Sequence, residues 1–238
     1  MPINGEISAI CDEFHEELVG LLDFAQIRKA SSANSLAPRA RVAAANGATL
    51  LLAALYEECI RQMVKATFNH KKQAASGIND FPDKLAASVW RRSFEKLARR
   101  PFDEVQGTIS VTNSEINGVL AFCLKGDLKS DVSSFIAHND NNMRPDEMAR
   151  LFKQIGVSSI VSKLGTEKGL QDFFGIDNPS QCADALRNEI EDFFRRRNEI
   201  AHAIQTSSSS GPTSIEKDVN LFKSVTASLV KILSVETK

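Results

Sequence analysis

Leu50-Leu51-Leu52-Ala53-Ala54-Leu55-Tyr56-Glu57-Glu58-Cys59-Ile60-Arg61-Gln62-Met63-Val64 reads as a helix that belongs in the middle of a bundle. Alanine and leucine dominate, and both are strong helix formers. At helical spacing, Leu51, Leu52, Leu55, Cys59 and Met63 make one apolar face. Leu50, Ala53, Ile60, Val64 and Phe68 make another, nearly opposite. A helix apolar on two sides is expected at the centre of a packed structure. The helical pattern extends over about residues 39–69.

Upstream, about residues 7–27 form a helix, with Ile7, Ile10, Phe14, Leu18, Leu21 and Leu22 recurring at three and four. Ser31 to Ser35 and Pro38 separate it from the central helix. Downstream, residues 70–80 read as a loop, and Pro82 opens a third helix to about residue 100. Residues 101–118 are polar and short-patterned, and Thr108 to Thr112 alternate as a small strand or extended chain. A short helix over about residues 113–126 precedes an asparagine-rich loop over 135–144, around His138. Pro145 starts a helix that Gly156 stops, followed by helical pieces at about 157–164 and 167–174. Asn178 or Ser180 caps a long helix that runs to about residue 204. Four serines and Gly-Pro make residues 206–213 a flexible solvent loop. A last helix, about 214–235, carries Val219, Phe222, Val225, Leu229 and Ile232 on one stripe. The fold expected is all-α, an up-and-down helical bundle with an irregular middle insertion of short helices. Residues 1–238 read as one domain, with 101–180 as an insertion packed on the bundle.

Composition narrows the function. The chain of 238 residues is 42% hydrophobic and 25% charged, which suits a folded helical protein. No run of about 18 apolar residues occurs, so no membrane span is expected. The first residues lack a basic start followed by an apolar run, so no signal peptide is expected. Cys11, Cys59, Cys123 and Cys182 are scattered without a CxxC pair, which argues against disulfides and zinc and makes the cytoplasm the default. No second ligand cluster joins the histidines, so no metal or cofactor is expected. His15 and His70 read as surface residues. Gly165 and Gly169 lack the context of a nucleotide fingerprint, and no serine elbow is present. A net charge of -1 argues against gripping long duplex by bulk electrostatics. Positive charge is concentrated at Arg91, Arg92, Lys96, Arg99 and Arg100, and at Arg195 to Arg197. The first group reads as a solvated helix face, or alternatively as a track for an RNA backbone.

The stretch Arg195-Arg196-Arg197-Asn198-Glu199-Ile200-Ala201-His202 is the anomaly. With about 100° per residue, Leu186, Ile190, Phe193, Phe194, Ile200, Ala201 and Ile204 fall within about 60° of Arg197. Arg197 therefore sits in the middle of an apolar stripe. Asn198 and His202 lie about 100–140° round, one turn apart, and Arg195 is near 160° on their side. A guanidinium so placed is paired or opens onto a cleft. Glu57, in the middle of the second apolar face of the central helix, is the candidate partner, directly or through Arg61 one turn on. A purely structural Glu57–Arg197 bridge is the competing reading, and so is an arginine that snorkels to water.

Arg197-Asn198-x-x-x-His202, followed by a small residue, resembles the signature of the HEPN superfamily. Residues 51–60, with Tyr56-Glu57 as an aromatic–acid pair, are similar to an early helix of its large branch, MAE-like or RiboL-PSP-HEPN. The stretch from His138-Asn139 through Pro145 to Gly156 is similar to that branch's asparagine-rich loop and following helix. The resemblance spans about residues 40–235. It departs at Ala203, where the family often has glycine, and at Tyr56, where tryptophan is common.

The resemblance implies a small helical bundle of prokaryotic defence or toxin–antitoxin systems and metal-independent cleavage of RNA at a homodimer interface. Arg197, Asn198 and His202 would be the catalytic residues, with Glu57, Arg61, Arg195 and Arg196 in support. Partners would be RNA, a second copy, and a cognate antitoxin or defence-system component. The alternative implied is a non-catalytic HEPN interaction or regulatory module.

Overall fold

The computed structural model describes residues 3–30, 38–98, 102–103, 108–109, 113–139, 141–202 and 212–236. Helices dominate them. Two long helices come first, α1 (Ile3–Ala30) and α2 (Pro38–Ala74), then a 3-10 turn (Ile78–Asp80) and α3 (Leu85–Ala98). A two-residue antiparallel pair follows, β1 (Phe102–Asp103) with β2 (Thr108–Ile109). Five short helices make the middle: α4 (Asn113–Lys125), α5 (Ser133–Ile136), α6 (Pro145–Gln154), α7 (Ile160–Gly165) and α8 (Lys168–Phe174). Two long helices close the chain, α9 (Pro179–His202) and α10 (Pro212–Glu236).

The centre is α2, which packs against α1, α5, α6, α9 and α10. Its burial differs from the two opposite faces expected. Leu52, Ala53, Tyr56, Cys59, Ile60, Met63 and Val64 are all buried, and they form one broad arc centred on Tyr56. Leu51 is outside it and 51% exposed. The reason is that α1, α9 and α10 wrap the helix from adjoining directions, so the outer side remains open to water. Tyr56 stacks on Phe222 of α10, with ring centroids 4.2 Å apart, and meets Phe194 of α9 at 6.3 Å. Phe193 closes on Phe222 at 4.8 Å. This aromatic knot joins three helices at the level of the site and contributes more than its buried area.

Two segments expected as loop are helical. α2 continues through His70, Lys71 and Lys72 to Ala74, and Lys71 and Lys72 in its last turn complement the helix dipole. Phe135 and Ile136 belong to α5 and are almost fully buried, so tertiary packing overrides their polar neighbours. Local signals hold elsewhere. α6 starts with Pro145 and has Asp146 and Glu147 in its first turn. It ends before Gly156, whose φ of +82° favours glycine. Of the two candidate caps for α9, Asn178 serves: its Oδ1 accepts from the Ser180 and Gln181 amides at 3.0 and 3.1 Å.

α7 and α9 approach closely at Gly165. A Cβ there would sit 2.3 Å from the Pro179 carbonyl oxygen and 2.9 Å from the Ala183 Cβ. His15, expected at the surface, instead ties α1 to α10: its Nε2 is 2.9 Å from the Thr226 hydroxyl. Residues 206–211 of the expected solvent loop lie outside the described residues, and α10 begins at Pro212, two residues early. No helix of the described residues is long and apolar enough to cross a membrane.

Candidate functional site

The last two turns of α9 carry the three consecutive arginines, and the helix sends each somewhere different. Arg195 points outward to Asp192 at 3.2 Å and Glu199 at 3.0 Å, on its own helix. Arg196 turns to α10, where NH2 donates to both oxygens of Asp218 at 2.7 and 2.8 Å. The Asp218 side chain is 3% exposed, and burial pushes its carboxyl up while the Arg196 charge pulls it back. Arg197 is half-buried, and its NH1 donates to Asn198 Oδ1 at 3.2 Å. Its Nε is buried without a hydrogen-bond partner.

Beside Arg197 runs the loop between α5 and α6, and almost every residue of it is held. The His138 carbonyl accepts from Arg92 NH1 at 2.6 Å and from Arg150 NH2 at 3.5 Å. Asn139 Oδ1 accepts from Arg61 NH1 at 3.1 Å. Asn142 Nδ2 donates to Asn198 Oδ1 at 2.8 Å. The Met143 amide donates to Glu57 Oε1 at 3.3 Å. Arg144 pairs with Glu191 of α9. Asn198 Oδ1 thus collects two donors, Asn142 and Arg197, and its amide orientation is set by them.

Glu57 lies near enough to Arg197 to feel its charge, as expected, but makes no direct ion pair with it. It binds the Met143 amide, and Arg61 NH1 lies 3.7 Å from its Oε2. Burial raises its carboxyl above the usual range, against the pull of the Met143 amide and the charges of Arg61 and Arg197. The reason is geometric. Glu57 sits at the rim of the buried arc of α2, next to the loop that lies between α2 and the end of α9. Glu57 and Arg61 therefore clamp that loop at Met143 and Asn139. Arg92 also departs from expectation: at 6% exposed it is buried and bound to the loop, not solvated. Lys96, Arg99 and Arg100 have side chains outside the described residues.

The result is one open cleft of about 700 Å³ between the end of α9 and the loop with α6. Arg197, Asn198 and His202 all line it, together with Asn141, Asn142, Arg144, Asp146, Glu147, Arg150 and Glu191. Glu57, Arg61, Arg195 and Arg196 do not. His202 is exposed at the end of α9, with no hydrogen-bond partner among the described residues. Asn142, Arg144 and Arg150 were not singled out by sequence reading. Loop composition hides Asn142 and Arg144, because a polar loop residue and a polar site residue look alike until the loop is folded back on a helix, and Arg150 on α6 reads as an ordinary solvated helix residue. The cleft offers three guanidinium groups, three carboxamides and an imidazole within one concave surface, a set suited to a phosphodiester.

A family model described as RiboL-PSP-HEPN matches residues 16–235. Comparison with curated proteins and with solved structures finds no match. The matched span takes in the central helix, the asparagine loop and the whole of α9. This chain belongs to the RiboL-PSP-HEPN family.

Proposed function

We propose that this protein is a metal-independent endoribonuclease of a prokaryotic defence or toxin–antitoxin system, acting in the cytoplasm. The observation that carries the reading is the meeting of Arg197, Asn198 and His202 on one open cleft, in a chain of the HEPN type. RNA supplies its own nucleophile, the 2′-hydroxyl. Imidazole exchanges protons near neutrality, so His202 accepts the proton of that hydroxyl as its oxygen attacks phosphorus. Arg197 stabilises the charge that gathers on the phosphoryl oxygens. Asn198 orients a phosphoryl oxygen through its amide nitrogen, its carbonyl oxygen being occupied. The 5′ oxygen leaves with a proton, and the products are a 2′,3′-cyclic phosphate and a 5′-hydroxyl.

One imidazole cannot be both base and acid in the same step. A C2 homodimer joined through the α9 helices removes this difficulty, because a second copy's protonated His202 protonates the leaving oxygen. The partners are accordingly RNA, a second copy, and a cognate antitoxin or defence-system component. Incubation with single-stranded RNA in EDTA tests the reading. Cleavage to cyclic-phosphate ends is expected, with DNA of the same sequence inert and His202→Ala inactive. Absence of cleavage, or cleavage undiminished by His202→Ala, overturns it.

A second reading, a non-catalytic HEPN interaction or regulatory module, is favoured by the His202 imidazole, which has no hydrogen-bond partner among the described residues. RNA binding by the wild type without cleavage in the same assay selects it.

A further inference from the structure

Arg144 enters the cleft from the N-cap of α6, and its guanidinium lies on Glu191 of α9. At about 100° per residue, Asn198 and His202 each fall within about 20° of Glu191, one on either side. Glu191 therefore stands on the same stripe of α9 as Asn198 and His202, two turns upstream. Arg195 and Arg196, its neighbours in sequence, are occupied outside the cleft. The second cation facing the site comes from the loop instead of the helix.

We propose that Arg144 is a phosphate-binding residue of the RNA site, and that Glu191 is its built-in competitor. In the free protein the Glu191 carboxylate occupies the guanidinium, and a phosphodiester of RNA displaces it. The proposal rests on the ribonucleolytic reading above and specifies which groups take the chain's phosphates. Carboxylate and phosphate present the same paired oxygens to a guanidinium fork, so one substitutes for the other. The exposure of the pair suits exchange. Arg144 and Glu191 side chains are 35% and 42% exposed, whereas the Asp218 side chain that holds Arg196 is 3% exposed. The first pair is reachable by a ligand and weakly held; the second is neither. The cleft is also charge-balanced. Its lining has Arg144, Arg150 and Arg197 against Asp146, Glu147 and Glu191, three and three. Arg150 is held by both oxygens of Glu147 at 2.6 and 2.7 Å and by Gln154 at 3.3 Å, and Asp146 pairs with Arg187 at 2.7 Å. Releasing Arg144 from Glu191 is thus the one exchange among these pairs that joins a cation to the Asn198–His202 stripe.

Binding of 2′-O-methyl single-stranded RNA, which lacks the nucleophile, tests this over a range of salt. Glu191→Gln is expected to tighten binding about twofold to fivefold, the range of an exposed ion pair. Arg144→Gln is expected to weaken it and to lower the slope of log K against log salt by about 0.7, one phosphate contact on a single strand. In the Arg144→Gln background, Glu191→Gln should have little further effect, because the competitor has lost its target. Equal tightening in both backgrounds means that Glu191 acts by general repulsion, and overturns the competition. An unchanged slope in Arg144→Gln overturns the phosphate contact. Should Arg144→Gln fail to fold, Arg144→Lys takes its place: the slope is expected to stay while binding weakens through loss of the fork, and affinity equal to the wild type overturns the proposal. A wild type that binds no RNA overturns the ribonucleolytic reading together with this one. A wild type that binds and cleaves RNA, with Arg144→Gln indistinguishable from it, overturns only the role of Arg144.

Discussion

Arg195, Arg196 and Arg197 are consecutive and chemically identical, yet one lies in water, one is tied to α10 and one lines the cleft. The helical advance that separates them also separates the expected effects of replacing them. Arg196→Ala leaves Asp218 charged, nearly buried and unpaired, which is expected to lower stability by about 3 kcal/mol. Arg197→Ala removes one hydrogen bond to Asn198 and leaves Glu57 with its Met143 and Arg61 partners. Its expected loss is only about 1 kcal/mol. Thermal unfolding of the two variants checks the contrast, and a collapse of Arg197→Ala would support the structural-bridge reading instead. RNA cleavage should vanish in Arg197→Ala while the fold persists. Glu57 adds a pH signature. Its folded pKa is raised by burial, so the ionised form is disfavoured in the native state. That contribution to stability is complete below the unfolded pKa and is lost as pH rises through the folded pKa. Glu57→Gln mimics the protonated form and still accepts from the Met143 amide. Its stability relative to the wild type should therefore rise between acid and neutral pH, as denaturant unfolding at several pH values would show.

The elements place the site by small residues and caps. α9 is fixed at its start by Asn178 and by the close approach of Gly165, and at its end by Phe193, Phe194 and Arg196. Gly165→Ala puts a methyl group against a backbone carbonyl, which has no flexible end to give way. A loss of about 1–3 kcal/mol is expected, measured by denaturant midpoint. α1 is tied to α10 through His15. Burial, with Lys223 nearby, lowers its imidazole pKa against the pull of Asp12 and a backbone hydrogen bond. A base held neutral in the fold contributes stability that is present above the unfolded pKa and lost as pH falls toward the folded one. Unfolding followed from about pH 7 to 5 should show this loss in the wild type, and His15→Gln should reduce it. A pH profile identical in the two proteins would remove His15 from the account. The asparagine loop belongs to this scale too. Its sequence announces turn chemistry but not its contacts, because Arg61, Glu57, Arg92, Asn198 and Glu191 come from three different helices.

At the scale of the whole molecule, the expected species is a two-fold homodimer with the ends of α9 apposed. Light scattering at micromolar concentration checks it, and RNA that cannot be cleaved should strengthen association by binding the dimer preferentially. A strictly monomeric species, unchanged by such RNA, would remove the composite site. Within the single copy, the helical pattern by itself determined the number and order of the long helices, the start of α6 and α9, and the short, broken middle. Those features depend on neighbours in sequence: helix propensity, Pro145, Asn178 and Gly156 act over one turn. Arg197, Asn198 and His202 were legible for the same reason, since all three stand on two turns of one helix. Only the tertiary structure decided that α2 is buried along a single arc, that Glu57 holds a loop in place of Arg197, and that Arg144 and Glu191 face the cleft. Each of these is a meeting of residues tens of positions apart. Periodicity reports which side of a helix is apolar, but which polar groups close on one another depends on how the helices pack.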